Sequence, residues 1–146
     1  MSSSRPISIR HKAMDLLARR EHSRRELLIK LSRKFPDAAV IDAVLDKLEA
    51  DVLQSDSRFA SSFFRLRVQG GFGPNRIRAE LRQRGISDVL IDQQFSEQIV
   101  DWFAAAEALY LKKYVGVNVG DPRERAKCFR YLQYKGYDLE HINALF

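Results

Sequence analysis

Seven arginines, Arg58, Arg65, Arg67, Arg76, Arg78, Arg82 and Arg84, fall within 27 residues of one another. Arginine presents a planar fork of N–H donors that matches carboxylates and phosphates two bonds at a time, so this is the part of the chain best equipped for recognition chemistry. The first three share one expected helix and the other four the next, on which Ile77 and Leu81 take the buried side. Taken singly, each arginine reads as a solvated residue tied to a neighbouring acid such as Glu80 or Asp88. Taken together, the seven read as a contact surface. Arg19, Arg20, Arg24 and Arg25 before them, and Lys112, Lys113, Arg123, Arg125 and Lys127 after them, extend the basic theme along the chain. The contact candidates are therefore the seven central arginines with Arg24, Arg25, Lys112 and Lys113.

Other reactive residue types are sparse. His11, His22 and His141 have no cysteine or carboxylate at a metal-ligand spacing, so no metal site is expected. Cys128 lies beside Phe129 and Leu132 on an expected helix, where a small packing role outweighs nucleophilic chemistry. Gly70, Gly71 and Gly73 follow a helix, not a strand, and lack the Lys-Ser/Thr of a phosphate-binding loop; they read as a flexible connector. The carboxylates show no pairing across a substrate. Neither catalysis nor a cofactor is expected. Tyr110, Tyr114, Tyr131, Tyr134 and Tyr137 crowd the C-terminal third; beside basic residues such rings can stack on unpaired bases, though at helical spacing they more often form core or rim.

The formal charge is +6, from 25 Lys and Arg against 19 Asp and Glu, which favours a polyanion or an acidic protein surface as partner without choosing between them. A single cysteine excludes an intramolecular disulfide and suits a reducing compartment, so a cytoplasmic location is expected. The first twelve residues lack an apolar signal core, and no window of eighteen apolar residues follows; no membrane partner is expected.

The elements that must position the arginines are helices. Apolar residues recur at three-and-four spacing, as in Val40, Ile41, Val44, Leu45 and Leu48. The exception, Val115, Val117 and Val119 between Gly116 and Gly120, is short and bracketed by glycines, and is assigned to a loop. Ser23 with Glu26 forms a capping box that starts a helix. Gly73-Pro74 and Asp121-Pro122 start two more, because proline loses nothing at the first helical position. Gly85 and Gly136 end helices through the left-handed conformation, and Ser87 and Asp138 cap the next ones.

These signals repeat. Ser23, Leu27 and Leu31 correspond to Gly73, Ile77 and Leu81 at a spacing of 50, and Gly85, Ile86 and Ile91 to Gly136, Tyr137 and Ile142 at 51. The third copy has three extra residues between proline and glycine, and the first has Lys34 in place of the glycine. The fold expected is all-α, with three tandem three-helix repeats at 9–50, 57–103 and 104–146 after a flexible N-terminus at 1–8. No unit of this size buries enough alone, so an elongated, curved array, monomeric in solution, is expected.

The segment Arg58-Phe59-Ala60, Arg65-Leu66-Arg67 and Gly73-Pro74-Asn75-Arg76-Ile77-Arg78-Ala79-Glu80-Leu81-Arg82-Gln83-Arg84-Gly85-Ile86 resembles the central signature of the RecX family. Arg19 to Ser23 with Glu26-Leu27 resembles the family's first repeat, and Phe129, Tyr131-Leu132, Gly136-Tyr137 and Ile142 its last. The resemblance runs from about Ile9 to Phe146. It implies a crescent of three three-helix repeats that binds RecA filaments on DNA, blocks their extension, and damps recombinase and coprotease activity in DNA repair and the SOS response. It also implies some direct binding to single- or double-stranded DNA. Lys34 departs from the pattern, and the chain ends with hardly any tail beyond the last repeat.

Overall fold

The structure is a computed structural model that describes residues 8–114, 116 and 120–146. Among the described residues there are nine α-helices and no strand: α1 (Ile9–Arg19), α2 (Arg24–Ser32), α3 (Ala38–Ala50), α4 (Asp56–Gln69), α5 (Pro74–Gln83), α6 (Asp88–Glu97), α7 (Trp102–Lys113), α8 (Pro122–Lys135) and α9 (Leu139–Asn143). The valine run at 115–119 lies outside the described residues.

Most of the helices begin where a short polar side chain accepts a backbone N–H of the first turn, as with Ser8, Ser23, Asp37, Ser55, Ser87, Asp101 and Asp121. Ser8, expected in the frayed terminus, instead caps α1 by accepting from the His11 N–H at 3.0 Å. Ser23 and Glu26 form the reciprocal capping box. Gly85 and Gly136 have φ of +80° and +105°, as a left-handed helix end requires. Lys34 does not take that conformation; the only non-glycine residue with positive φ among the described residues is Val52, at +59° after α3.

The helices pack in threes, and the close helix pairs all fall inside one group. Ala13, Leu16, Leu27, Leu31, Ile41, Leu45 and Leu48 fill the first core. Phe59, Phe64, Ile77, Leu81, Ile86 and Ile91 belong to the second, and Ala106, Leu132, Tyr137 and Ile142 to the third. The break between the last two groups falls at 98–101, so Trp102 and Phe103 open α7 instead of ending the second unit. Trp102 packs against both cores and joins them.

The middle helices of the groups meet end to end. Gly73 and Asn75 at the start of α5 donate their N–H groups to the carbonyls of Lys135 and Gly136 at the end of α8, at 2.7 and 2.9 Å. Amides and carbonyls that helix ends leave without partners satisfy each other, and the two helix dipoles align. A Cβ on Gly73 would lie 2.4 Å from the Gly136 carbonyl carbon, and one on Gly136 would lie 2.5 Å from Arg76 Cβ. At the other end of α5, a Cβ on Gly85 would lie 2.8 Å from Arg25 Cβ in the first turn of α2. The glycines at 70–73 are thus a docking joint, and the expectation of a flexible connector is corrected: Lys135 Nζ and the Tyr137 hydroxyl donate to the carbonyls of Gly70 and Gly71 at 3.3 and 3.0 Å.

Gly136→Ala adds left-handed strain to a backbone clash and is expected to destabilise by more than about 2 kcal/mol in urea unfolding. Val52→Gly, which relieves a β-branched residue held at positive φ on the surface, is expected to raise stability by about 1 kcal/mol.

Candidate interaction surface

Six of the seven central arginines already hold carboxylates. Arg58 Nε pairs with Glu21 at 3.0 Å and Arg84 Nε approaches Glu26 at 3.7 Å, both across the joint between the first and second domains. Arg78 pairs with Asp92 at 2.9 Å and Arg82 with Asp88 at 3.0 Å on exposed faces. Arg67 and Arg76 converge on Glu80, at 2.9 and 3.2 Å. The expected ties to Glu80 and Asp88 are present; those to Glu21 and Glu26 join residues far apart in sequence. Arg24 is also engaged, with Asp46, Glu49 and Asp42 around it at 2.8, 3.4 and 3.7 Å.

Aromatic rings organise the same arginines. The guanidiniums of Arg84 and Arg67 lie 4.6 and 4.9 Å from the Phe63 ring centre, Arg67 and Arg76 lie 5.0 and 4.6 Å from that of Phe72, and Arg76 lies 4.7 Å from that of Tyr134. Lys135 Nζ approaches Phe72 to 3.8 Å. The result is an alternating ladder from the first joint, where Arg84 meets Glu26, to Tyr134 of the third domain. Each stacked pair contributes on the order of 0.5–2 kcal/mol, with the larger values where the cation is partly desolvated. Burial, then the charges of Arg76, Arg67 and Lys112, lower the Lys135 ammonium below its ordinary value.

Arg25, Arg65, Lys112 and Lys113 are exposed and have no carboxylate within ion-pair distance among the described residues. Lys113 lies 5.1 Å from the Tyr131 ring centre. On α4, Arg58, Ser62, Arg65 and Gln69 are spaced four, three and four residues apart and share one stripe. Arg58 at one end holds Glu21 of the first domain. At the other, Gln69 lines a shallow cleft with Lys112 of the third. The stripe lies on α4 of the second domain and reaches the first domain at one end and the third at the other, with Arg65 between.

The first joint has a buried polar core that the sequence reading missed. His22 is 1% exposed; its Nε2 lies 2.9 Å from Lys30 Nζ and its Nδ1 lies 3.1 Å from the Arg20 carbonyl. An ammonium only donates, so Nε2 accepts and Nδ1–H donates. Burial first, then the charges of Arg20 and Lys30, hold the imidazole below its ordinary value of 6.5, against the hydrogen bond to the Arg20 carbonyl. Next to it, burial pushes the Glu26 carboxyl up, but hydrogen bonds from Arg20 and the Ser23 N–H and the charge of Arg20 outweigh that and bring it below the usual range. The Ser-x-x-Glu spacing located Glu26, but no local signal marks His22.

Cys128 is fully buried, and burial pushes its thiol up, which suits packing and not nucleophilic attack. Asp138, Glu140 and His141 form the one cluster with ligand atoms close enough for a metal among the described residues. Its geometry is that of a helix start, with the Asp138 N–H donating to His141 Nδ1 at 3.2 Å and Asp138 accepting from Asn75 at 2.6 Å. Among the described residues no helix is long and apolar enough to cross a membrane.

Three small helical domains in a row, joined by glycine contacts and carrying charged side chains along the outside, define a tandem-domain helical scaffold. Family models match in three places: the first three-helix domain of RecX at residues 10–48, the second at 55–93 and the third at 100–146. The chain is 44% identical over 140 residues to the regulatory protein RecX of Pseudomonas entomophila (strain L48), covering 96% of this chain and 90% of that protein. It is equally similar to that of Ectopseudomonas mendocina (strain ymp), with 96% and 93% covered. A crystal structure of RecX from Lactobacillus salivarius superposes with a TM-score of 0.78 at 21% identity, over 93% of this chain and 90% of that one. A second crystal structure of regulatory protein RecX gives 0.79 at 25% identity, over 93% and 72%. The chain belongs to the RecX family of regulatory proteins.

The His22 joint gives this chain a pH dependence of defined sign. Because the folded imidazole titrates below the unfolded value of 6.5, the unfolded state binds more protons as pH falls through 6.5, and stability drops until the folded group also protonates. Urea midpoints measured from pH 7.5 to 5.5 are expected to fall, and to fall less steeply in His22→Gln.

Proposed function

We propose that this protein binds RecA recombinase filaments on DNA and inhibits their extension, ATPase, strand exchange and coprotease activity, tuning recombination and repair in the cytoplasm as a non-catalytic monomer. Membership of the RecX family supports the partner. The observation that carries the contact surface is the α4 stripe, which joins Glu21 of the first domain to Lys112 of the third with Arg65 unpaired between them. A surface that spans three linked domains can engage successive subunits of a filament, and many weak contacts in register add up without any one being strong. Among the paired arginines, Arg58 and Arg84 tie the second domain to the first and Arg76 reaches Tyr134 of the third, while Arg65, Arg25, Lys112 and Lys113 keep charge available for a partner.

A second reading is a stand-alone nucleic-acid-binding module. It is favoured by a chain of rings in the third domain, Tyr131–Tyr114 at 5.8 Å, Tyr114–Tyr110 at 6.0 Å and Tyr110–Phe146 at 5.8 Å, with Lys113 and Arg125 over its two ends. Such rings beside cations can take unpaired bases.

ATP hydrolysis by preassembled RecA filaments on single-stranded DNA is the test, with the protein added well below one per RecA protomer. Progressive loss of the rate is expected, and at least a fivefold weaker effect from Arg65→Glu/Lys112→Glu with unchanged circular dichroism. An unaffected rate overturns the RecA reading. In that case binding to oligothymidylate that weakens on the order of 10³-fold from 50 to 200 mM salt identifies the second one.

A further inference from the structure

Between the first and second domains lies a cleft of about 280 Å³, with Phe59, Phe63 and Leu66 as its apolar wall. It is below the roughly 300–1,000 Å³ of pockets for drug-sized ligands, and suits one or two side chains. Leu66 is 62% exposed there, though it sits mid-helix beside a buried aromatic core. Ser62, Arg67, Arg84 and Arg20, with the carboxylates of Glu21 and Glu26, complete the lining.

Arg67 is the unusual member. Its guanidinium is held between the rings of Phe63 and Phe72, at 4.9 and 5.0 Å. Its Nε lies 2.9 Å from Glu80 Oε1, yet the N–H is not aimed at that oxygen, and both atoms are buried without a hydrogen bond. Arg20 and Arg84, by contrast, spend N–H groups on Glu26 and on the Glu80 carbonyl. With Nε buried against Glu80, the two terminal nitrogens of a planar fork fixed by two rings are the donors left over, and with an apolar wall beside them they are preorganised for an oxyanion attached to an apolar group.

We propose that this cleft binds a peptide segment carrying a carboxylate next to a large apolar side chain, with the carboxylate on the Arg67 fork and the apolar group against Leu66 and Phe63. A nucleic-acid backbone fits less well. Glu21 and Glu26 lie in the lining itself, held by Arg58 and by Arg20 and Arg84; together they oppose a run of phosphates more than a single carboxylate, and the apolar wall offers a phosphodiester nothing. Assigning the segment to the filament protein rests on the RecA reading; the chemistry of the cleft does not.

The probe is an acetylated, amidated tetrapeptide with aspartate beside phenylalanine between two glycines, titrated to several millimolar into the isotope-labelled full chain. Shifts are expected in the Leu66 methyl groups and the Arg67 side-chain N–H. They are expected to weaken at least fivefold when the aspartate is replaced by asparagine, and again in Arg67→Lys and in Leu66→Glu. The exposed position of Leu66 keeps the second variant folded even where loss of the stacked guanidinium disturbs the first. Absence of shifts at these residues overturns the proposal, as does the same shift pattern from oligothymidylate and not from the peptide. In the RecA ATPase assay, Leu66→Glu is expected to inhibit at least fivefold less than the parent. Full inhibition by that variant removes the cleft from the RecA contact and leaves the RecA reading standing. Peptide binding without any RecA inhibition by the parent chain keeps the cleft and removes the RecA reading.

Discussion

The end-to-end contact between α8 and α5 is the constraint on which the rest of the molecule depends. Two helix ends approach until the N–H groups of Gly73 and Asn75 reach the carbonyls of Lys135 and Gly136, a distance that leaves no room for a Cβ on either glycine. Because the bonded groups belong to backbone, helix geometry sets the angle between the second and third domains, and the side chains of Arg76, Lys135 and Tyr137 brace it. Tyr137, whose hydroxyl is pushed up to about 12 by burial, adds a neutral donor to the Gly71 carbonyl at the same joint. Small domains with modest cores gain from such neighbours what each lacks alone.

The arginines then take on two kinds of work. Those near the joints are held between rings and carboxylates, and the ladder from Arg84 to Tyr134 braces both joints at once. Mutating such a residue disturbs packing as well as charge. Arg65, Arg25, Lys112 and Lys113 sit outside this brace with their charge uncommitted. A charged residue tied in water to an exposed partner, as Arg82 is to Asp88, lies between the two kinds: the pair contributes at most about 1 kcal/mol and exchanges readily for a partner's acid. The surface whose charge is uncommitted is thus narrower than the arginine count suggests, with Arg65 of α4 exposed and unpaired.

The two joints solve one problem with different groups. At the second, backbone meets backbone through glycine. At the first, the N–H of Arg24 finds the Asp56 side chain at 2.8 Å, and Gln54 bridges Asp56 to the His22 carbonyl. That joint carries a buried imidazole and a lysine in contact, and so responds to pH near neutrality through His22.

Much of this was legible in the chain. Caps at Ser23, Ser87, Asp121 and Asp138, prolines at the first turn and glycines at the last located α2, α5, α6, α8 and α9, because those residues act within one turn of themselves. The repeat spacing of 50 and 51 residues disclosed three similar units, and the run from Arg58 to Gly85 disclosed the family. The long-range pairings were not legible: that Gly73 meets Gly136, that Glu26 gathers Arg20 and Arg84, that Arg67 is held by rings while its donors stay free, or that His22 is buried against Lys30. Val52 at positive φ also escaped, since nothing in its type announces it; the hydrogen bonds from Leu53 and Gln54 to the Leu48 carbonyl impose it. Sequence by itself determined the helices and their threefold repetition, products of local propensity and period, and carried the motifs that resemble the family. Only the tertiary structure decided which charges are spent inside the protein and which are left for a partner, because that depends on distances between residues the chain keeps far apart.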